Sequence, residues 1–190
     1  MVALVYGLHA LFWAPYIGRA IVDRASGVQQ SGKPAHAAAG ARVLVWLHSF
    51  AFGVTYFGIG RGLFGADVFS WSVDLRWLGV ATMLAATALS VRVMQVFRSW
   101  RLRAELTAQH ELCTEGPFRI IRHPIYAALV LLTVASFLLV PNVLTALGVV
   151  ANFAAGDVRA RTEEKLLLAA FGERYATYMQ RTKRFVPGIY

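Results

Sequence analysis

The feature that most limits what this chain can fold into is its partition into apolar blocks separated by polar, glycine- or proline-containing stretches. A first block runs from about Val2 to Val22, a second from about Arg42 to Phe64 and a third from about Leu75 to Phe97. Each is close to the roughly 20 residues that a helix needs to cross hydrocarbon. Inside a bilayer only a helix or a closed barrel satisfies every backbone group, so blocks of this length predict helices. Two shorter blocks follow, Ile125 to Val140 and Val143 to about Ala155, with only Pro141 and Asn142 between them. That spacing predicts a tight helical hairpin that tilts, re-enters or draws on flanking residues. From Gly156 the chain turns polar and again helical through Gln180, punctuated by Gly172. The expected fold class is an all-α integral membrane protein of about five transmembrane helices, the last two a tight hairpin, with a cytoplasmic C-terminal helical segment. No internal repeat or linker divides residues 1–190, so a single domain is expected, with 1–97 as three N-terminal spans and 98–190 as its polar, chemistry-bearing part.

Composition excludes a soluble enzyme: 57% of the residues are hydrophobic and 15% charged, against about a quarter charged in ordinary soluble domains. Nineteen Lys and Arg against ten Asp and Glu leave a net charge of +9. These charges flank the apolar blocks rather than forming a basic, aromatic-interleaved module, which points to anionic headgroups and excludes nucleic acid. The loop 23–40 with Arg19, Arg24, Lys33 and Arg42, the segment 98–123 and the tail after 158 are basic, whereas 65–74 and the Pro141 turn are not. By the positive-inside rule the N-terminus is expected outside and the C-terminus cytoplasmic, in an inner or plasma membrane. The first block lacks a basic leader region and a small-residue cleavage site and is read as a retained span. The lone Cys113 excludes an intramolecular disulfide and a cysteine-pair zinc site.

Some signals point to packing rather than chemistry. Gly58, Gly60, Gly62 and Gly65 mimic a dinucleotide fingerprint by letters, but that fingerprint needs a strand before it. Gly58 and Gly62 instead form a G-x-x-x-G pair that lets a neighbouring helix approach. His9 and His48 lie in spans without a partner three or four residues away, and each reads as a neutral histidine bonded between helices. Arg92 is expected to snorkel to the interface. The histidines show no metal-ligand spacing, and no metal is expected.

The informative half begins at His110 and reads His110-Glu111-Leu112-Cys113-Thr114-Glu115-Gly116-Pro117-Phe118-Arg119-Ile120-Ile121-Arg122-His123-Pro124-Ile125-Tyr126. Pro124 suits the first position of a helix, where its missing N–H is not needed, which makes His123 the cap residue. The free N–H groups of that helix start, with Arg122 beside them, would stabilise a ligand carboxylate. The alternative is a plain basic membrane collar of Arg119, Arg122 and His123. Further on, Arg159 and Glu163 are four residues apart and share a helix face. They are either a surface ion pair worth a few tenths of a kcal/mol, or a divided site in which Glu163 takes a ligand's amine or hydroxyl groups and Arg159 holds an anion.

Taken together, T-E-G-P-F-R-x-x-R-H-P-x-Y, a short apolar hairpin, and R-x-R-T-E-E-x-L-L-x-x-x-F-G-x-R-Y-x-x-Y over about residues 100 to 190 resemble the isoprenylcysteine carboxyl methyltransferase family and its phospholipid methyltransferase relatives. The resemblance implies a membrane-embedded enzyme that uses S-adenosylmethionine and releases S-adenosylhomocysteine. By matching position it implies that the cofactor meets His110, Glu111, Leu112, Cys113, Phe118, His123, Pro124, Ile125, Tyr126 and Glu163, and that Arg159 binds substrate. Phe118 stands where a tyrosine is common, so aromatic packing is retained without a hydroxyl. The first three spans carry no quotable match. The implied partners are membrane lipids and a lipophilic, prenylated or lipid acceptor, with the oligomeric state left open. Carboxyl O-methylation is the leading reaction. Amine N-methylation of a phospholipid or thiol S-methylation is the alternative on the same scaffold, and a non-catalytic membrane protein is the alternative from another class.

Overall fold

The computed structural model describes residues 1–25, 36–37, 40–65, 69, 73–97, 105–106 and 112–190. Among the described residues six α-helices carry the fold: α1 (Val2–Ala25), α2 (Ala41–Phe64), α3 (Val73–Val96), α4 (Pro124–Leu139), α5 (Val143–Phe171) and α6 (Glu173–Arg181), with a 3-10 turn at Gly116–Arg119. One departure from a purely helical chain is a two-residue antiparallel pairing of β1 (His36–Ala37) with β2 (Glu105–Leu106). It brings the chain that follows α1 to the chain that follows α3.

Arg42–Phe64, Leu75–Val96 and Val143–Phe171 are long and apolar enough to cross a membrane. The other two expected spans fall short of that standard for different reasons. Helix α1 has the length, 24 residues, but His9, Trp13, Pro15, Tyr16 and Arg19 dilute its apolar content. Helix α4 is apolar but has only 16 residues, about 24 Å of helix against about 30 Å of hydrocarbon. Its position explains how it can be short. It packs against α3 on one side and α5 on the other, burying Ala127, Ala128, Leu132, Thr133, Ala135, Ser136 and Leu139. A helix that is apolar all round suits such a central place. Large exposed apolar side chains instead collect on the outer helices, including Trp46, Phe50 and Phe57 of α2, Trp77 and Leu78 of α3, and Leu11, Ile17 and Ile21 of α1.

The expected break after Ala155 does not occur. Helix α5 continues as one 29-residue rod to Phe171, because loss of apolar character ends a membrane segment without interrupting backbone hydrogen bonding. Gly172, at φ +50°, then turns the chain into α6. At the other end the hairpin turn is pinned by a capping box: Thr145 N–H donates to Asn142 Oδ1 at 3.0 Å and Asn142 N–H donates to Thr145 Oγ1 at 3.1 Å. Asn142 Nδ2 also donates to the Gly58 carbonyl of α2 at 2.9 Å. Gly58 permits this close approach, since a Cβ there would lie 2.8 Å from Leu144 Cβ and 2.9 Å from Thr145 N. The packing reading of that glycine therefore holds. So does the reading of His9, whose Nδ1–H donates to Val5 O at 2.8 Å while Nε2 lies 3.0 Å from Ser136 Oγ of α4.

Candidate functional site

Helices α4 and α5 run antiparallel, and Pro124 and Arg159 lie about equally far from the turn at Pro141 and Asn142, so the start of α4 faces the second half of α5. Pro124 is the first residue of α4 and His123 its cap residue, as the sequence predicts. The cap is made without the His123 side chain, which leaves the imidazole to reach α5. Its Nδ1 stands 3.6 Å from Glu163 Oε2 and its Nε2 3.4 Å from Glu164 Oε1, ion-pair distances without hydrogen-bond alignment. Burial opposes charging this ring, but the two carboxylates outweigh it and raise the His123 pKa above the ordinary histidine value.

Glu164 is 5% exposed and holds the arrangement together. Arg122 Nε donates to its Oε1 at 2.9 Å, and Arg184 donates through Nε at 3.1 Å and through Nη2 to Oε2 at 2.8 Å. Arg184 Nη1 continues to Asp157 Oδ1 at 3.0 Å, where the Tyr190 hydroxyl also donates at 2.7 Å. The tail is laid against the start of α4 by Arg122 N–H to Lys183 O at 2.7 Å and His123 N–H to Arg184 O at 3.1 Å. Neither reading of Arg122, as partner of a ligand carboxylate at the helix start or as part of a basic collar, describes its place. Its guanidinium is occupied by Glu164, the Met179 carbonyl and the Thr182 carbonyl. Arg119 remains exposed, as a collar residue should.

One turn before Glu163, Arg159 is 6% exposed, which excludes a surface ion pair. Its guanidinium lies 5.2 Å from the centroid of the Tyr126 ring, and the Tyr126 hydroxyl donates to Glu163 Oε1. Glu163 keeps a quarter of its side chain open, 24%. On the other side, Arg159 Nη1 lies 3.5 Å from Nδ1 of His48, whose ring stacks on Phe52 at 5.2 Å. His48 of α2 is thus bonded to a neighbouring helix, as the sequence reading has it, and its partner is Arg159; Glu164 and Arg184 organise the charges around it. The charge-rich tail and the doubled glutamate were visible in sequence, but no spacing rule links His48 to Arg159.

The remaining cofactor candidates divide. His123, Pro124 and Tyr126 are buried beside Glu163, and Ile125 is half-buried next to them. Leu112 and Cys113 are half-buried and Phe118 is buried, and the contacts of Cys113 and Phe118 run to α3 and α6. The Phe118 ring packs on Phe97 at 5.2 Å, its carbonyl accepts from Tyr178 Oη at 2.6 Å, and Cys113 Sγ faces Val96 O at 4.0 Å. Phe118 does serve as aromatic packing, and burial pushes the Cys113 thiol up, away from nucleophilic use. His110 and Glu111 lie outside the described residues.

Comparison with known proteins bears on this stretch. Residues 77–169 match the model of the isoprenylcysteine carboxyl methyltransferase family. Protein-S-isoprenylcysteine O-methyltransferase B of Arabidopsis thaliana is 36% identical over 83 residues, 42% of this chain and 41% of the relative. The match thus spans about two-fifths of that relative's length. For residues 77–169 the family resemblance drawn from the motifs is shown, and His123, Tyr126, Arg159, Glu163 and Glu164 all fall within them, whereas α1, α2 and Arg184 do not.

Proposed function

We propose, from the family resemblance that residues 77–169 carry, that this chain is a multi-pass membrane methyltransferase transferring the methyl group of S-adenosylmethionine to the carboxylate of a lipophilic acceptor of the isoprenylcysteine type. The observation that carries the proposal is the meeting of His123 and Tyr126 with Arg159 and Glu163 at the open end of the hairpin. In this reading residues 1–97 shape acceptor access, residues 98–190 hold the cofactor, and the basic connections put the N-terminus outside and the site at the cytoplasmic face of an inner or plasma membrane.

The residues suit the cofactor. A cationic molecule rich in amine and hydroxyl donors needs an acceptor carboxylate that is not already saturated, and Glu163 is partly open while Glu164 is enclosed by two arginines. The rings of Tyr126, Phe185 and His123, with centroids 5.7–6.3 Å apart, form an aromatic wall beside Glu163. When bound, S-adenosylmethionine supplies an electrophilic methyl group and leaves as S-adenosylhomocysteine.

The chain's own tasks are then positioning and exclusion of water. Arg159 holds the acceptor carboxylate by its fork of N–H groups. That carboxylate is ionised at neutral pH, so its attack needs no general base. The apolar α4–α5 hairpin keeps water out and opens sideways to lipid, the route of a prenylated substrate, while the soluble cofactor arrives from the cytoplasm.

The test is calorimetric S-adenosylmethionine binding to detergent-purified protein, with Glu163→Ala alongside, followed by labelled methyl transfer. Saturable binding lost in the variant, and a product labile in mild base, are expected. No binding by folded protein would return the chain to the class of non-catalytic membrane proteins. A base-stable product would move the acceptor to a phospholipid amine or a thiol.

A further inference from the structure

His48 is 3% exposed and its Nε2 has no hydrogen-bond partner among the described residues. Its other nitrogen, Nδ1, faces Arg159 Nη1 at 3.5 Å. A guanidinium only donates, so in this contact Nδ1 is the acceptor, and the ring proton must sit on Nε2. The result is a buried N–H donor without an acceptor, beside the residue assigned to the substrate. Leaving such a donor unmatched is costly, and native structures rarely do so outside functional sites. The ring is also held against rotation, stacked on Phe52 with an interplanar angle of 1° and tilted against Tyr126 at 6.0 Å.

We infer that His48 belongs to the acceptor pocket, where its Nε2–H donates to an oxygen of the methyl acceptor while Arg159 holds the carboxylate. This rests on the methyltransferase reading above and deepens it by selecting among acceptor classes. A carboxylate has about four lone-pair sites, enough to accept from both Arg159 and His48 and still direct one at the methyl group. A neutral amine has one lone pair, which attack itself requires, and sulfur is a weak acceptor. A pocket built from two donors therefore selects an oxygen acid.

The two nitrogens can be separated by substitution. His48→Asn places an amide oxygen near the Nδ1 position and removes the distal donor, whereas His48→Gln places an amide N–H near the Nε2 position and removes the contact to Arg159. With an N-acetylated S-prenylcysteine as acceptor, His48→Asn should raise KM, and the acceptor's dissociation constant in the presence of S-adenosylhomocysteine, roughly three- to tenfold. S-adenosylmethionine binding and kcat should be unchanged, and His48→Gln should stay near the unmutated protein. The opposite ranking would make His48 only a support for Arg159 and overturn the inference, as would equal behaviour of all three proteins. Histidine 15N spectra of the unmutated protein give a readout independent of folding of the variants: the Nε2–H of His48 should shift when the acceptor is added, and an unmoved signal overturns the inference. Failure of S-adenosylmethionine binding would instead count against the methyltransferase reading, while the acceptor titration still reports on His48.

Discussion

The two ends of the α4–α5 hairpin are built on opposite rules. At the turn, the polar groups of Asn142 and Thr145 are neutral and satisfy one another, with the remaining amide N–H groups of Asn142 spent on Gly58 O and Val140 O. At the open end the groups are charged and enclosed, and two of the five buried side-chain atoms without a hydrogen-bond partner among the described residues, His48 Nε2 and His123 Nε2, belong to it. A region whose polar groups close on themselves is finished structure. One that stays open after two arginines have paired with Glu164 is arranged for something else.

Breaking the open end's frame should have the largest effect. Glu164→Ala leaves Arg122 enclosed without its carboxylate and Arg184 with Asp157 alone, and removing one partner of a buried pair typically costs about 3–5 kcal/mol. Denaturant or thermal unfolding in detergent should show a loss of that order, and a change no larger than that of an exposed substitution such as Arg161→Ala would mean that the network is not the frame.

The adjacent carboxylate should behave differently. Glu163→Ala should cost less stability than Glu164→Ala, since it takes away the acceptor of the Tyr126 hydroxyl but unpairs no buried arginine, and weaken S-adenosylmethionine binding by about 1.5–3 kcal/mol, the range for hydrogen bonds to a charged group. Arg159→Ala should spare that binding and impair turnover; equal loss of binding and turnover would refute the division of roles. At the closed end, Asn142→Ala should cost about 0.5–2 kcal/mol of stability, as lost caps do, with cofactor binding intact in the protein that remains folded.

The smallest effect is on pH. Because the folded state raises the His123 pKa above its unfolded value, the ring's contribution is fully present below about pH 6.5 and is lost as pH rises through the folded value. The unfolding midpoint should decline over that window, and His123→Gln should flatten the decline. An unchanged slope in the variant would assign the dependence to another group.

Much of this was legible in the chain. The block lengths announced the helices, Pro141-Asn142 the turn, Pro124 and His123 the start of α4, and the two motifs named Tyr126, Arg159 and Glu163. What escaped was partnership. Arg122 reads as a collar residue because nothing near it in sequence says that Glu164 is enclosed beside it. His48 reads as isolated because Arg159 lies 111 residues away. The rise in polarity at Gly156 marks the end of the apolar block near Ala155 but not the end of the helix, which runs on to Phe171. Gly156 nevertheless packs inside the helix, with its missing side chain facing Tyr126 and Phe185.

Sequence alone determined that the chain is helical and membrane-bound, since apolar length and the need to satisfy every backbone group locally are properties of consecutive residues. Only the tertiary structure decided which charges neutralise one another and which donor is left without an acceptor. Hydrogen bonds and ion pairs depend on separations of a few ångströms in space, and those separations arise from packing α2, α5 and the tail around α4 rather than from any spacing along the chain.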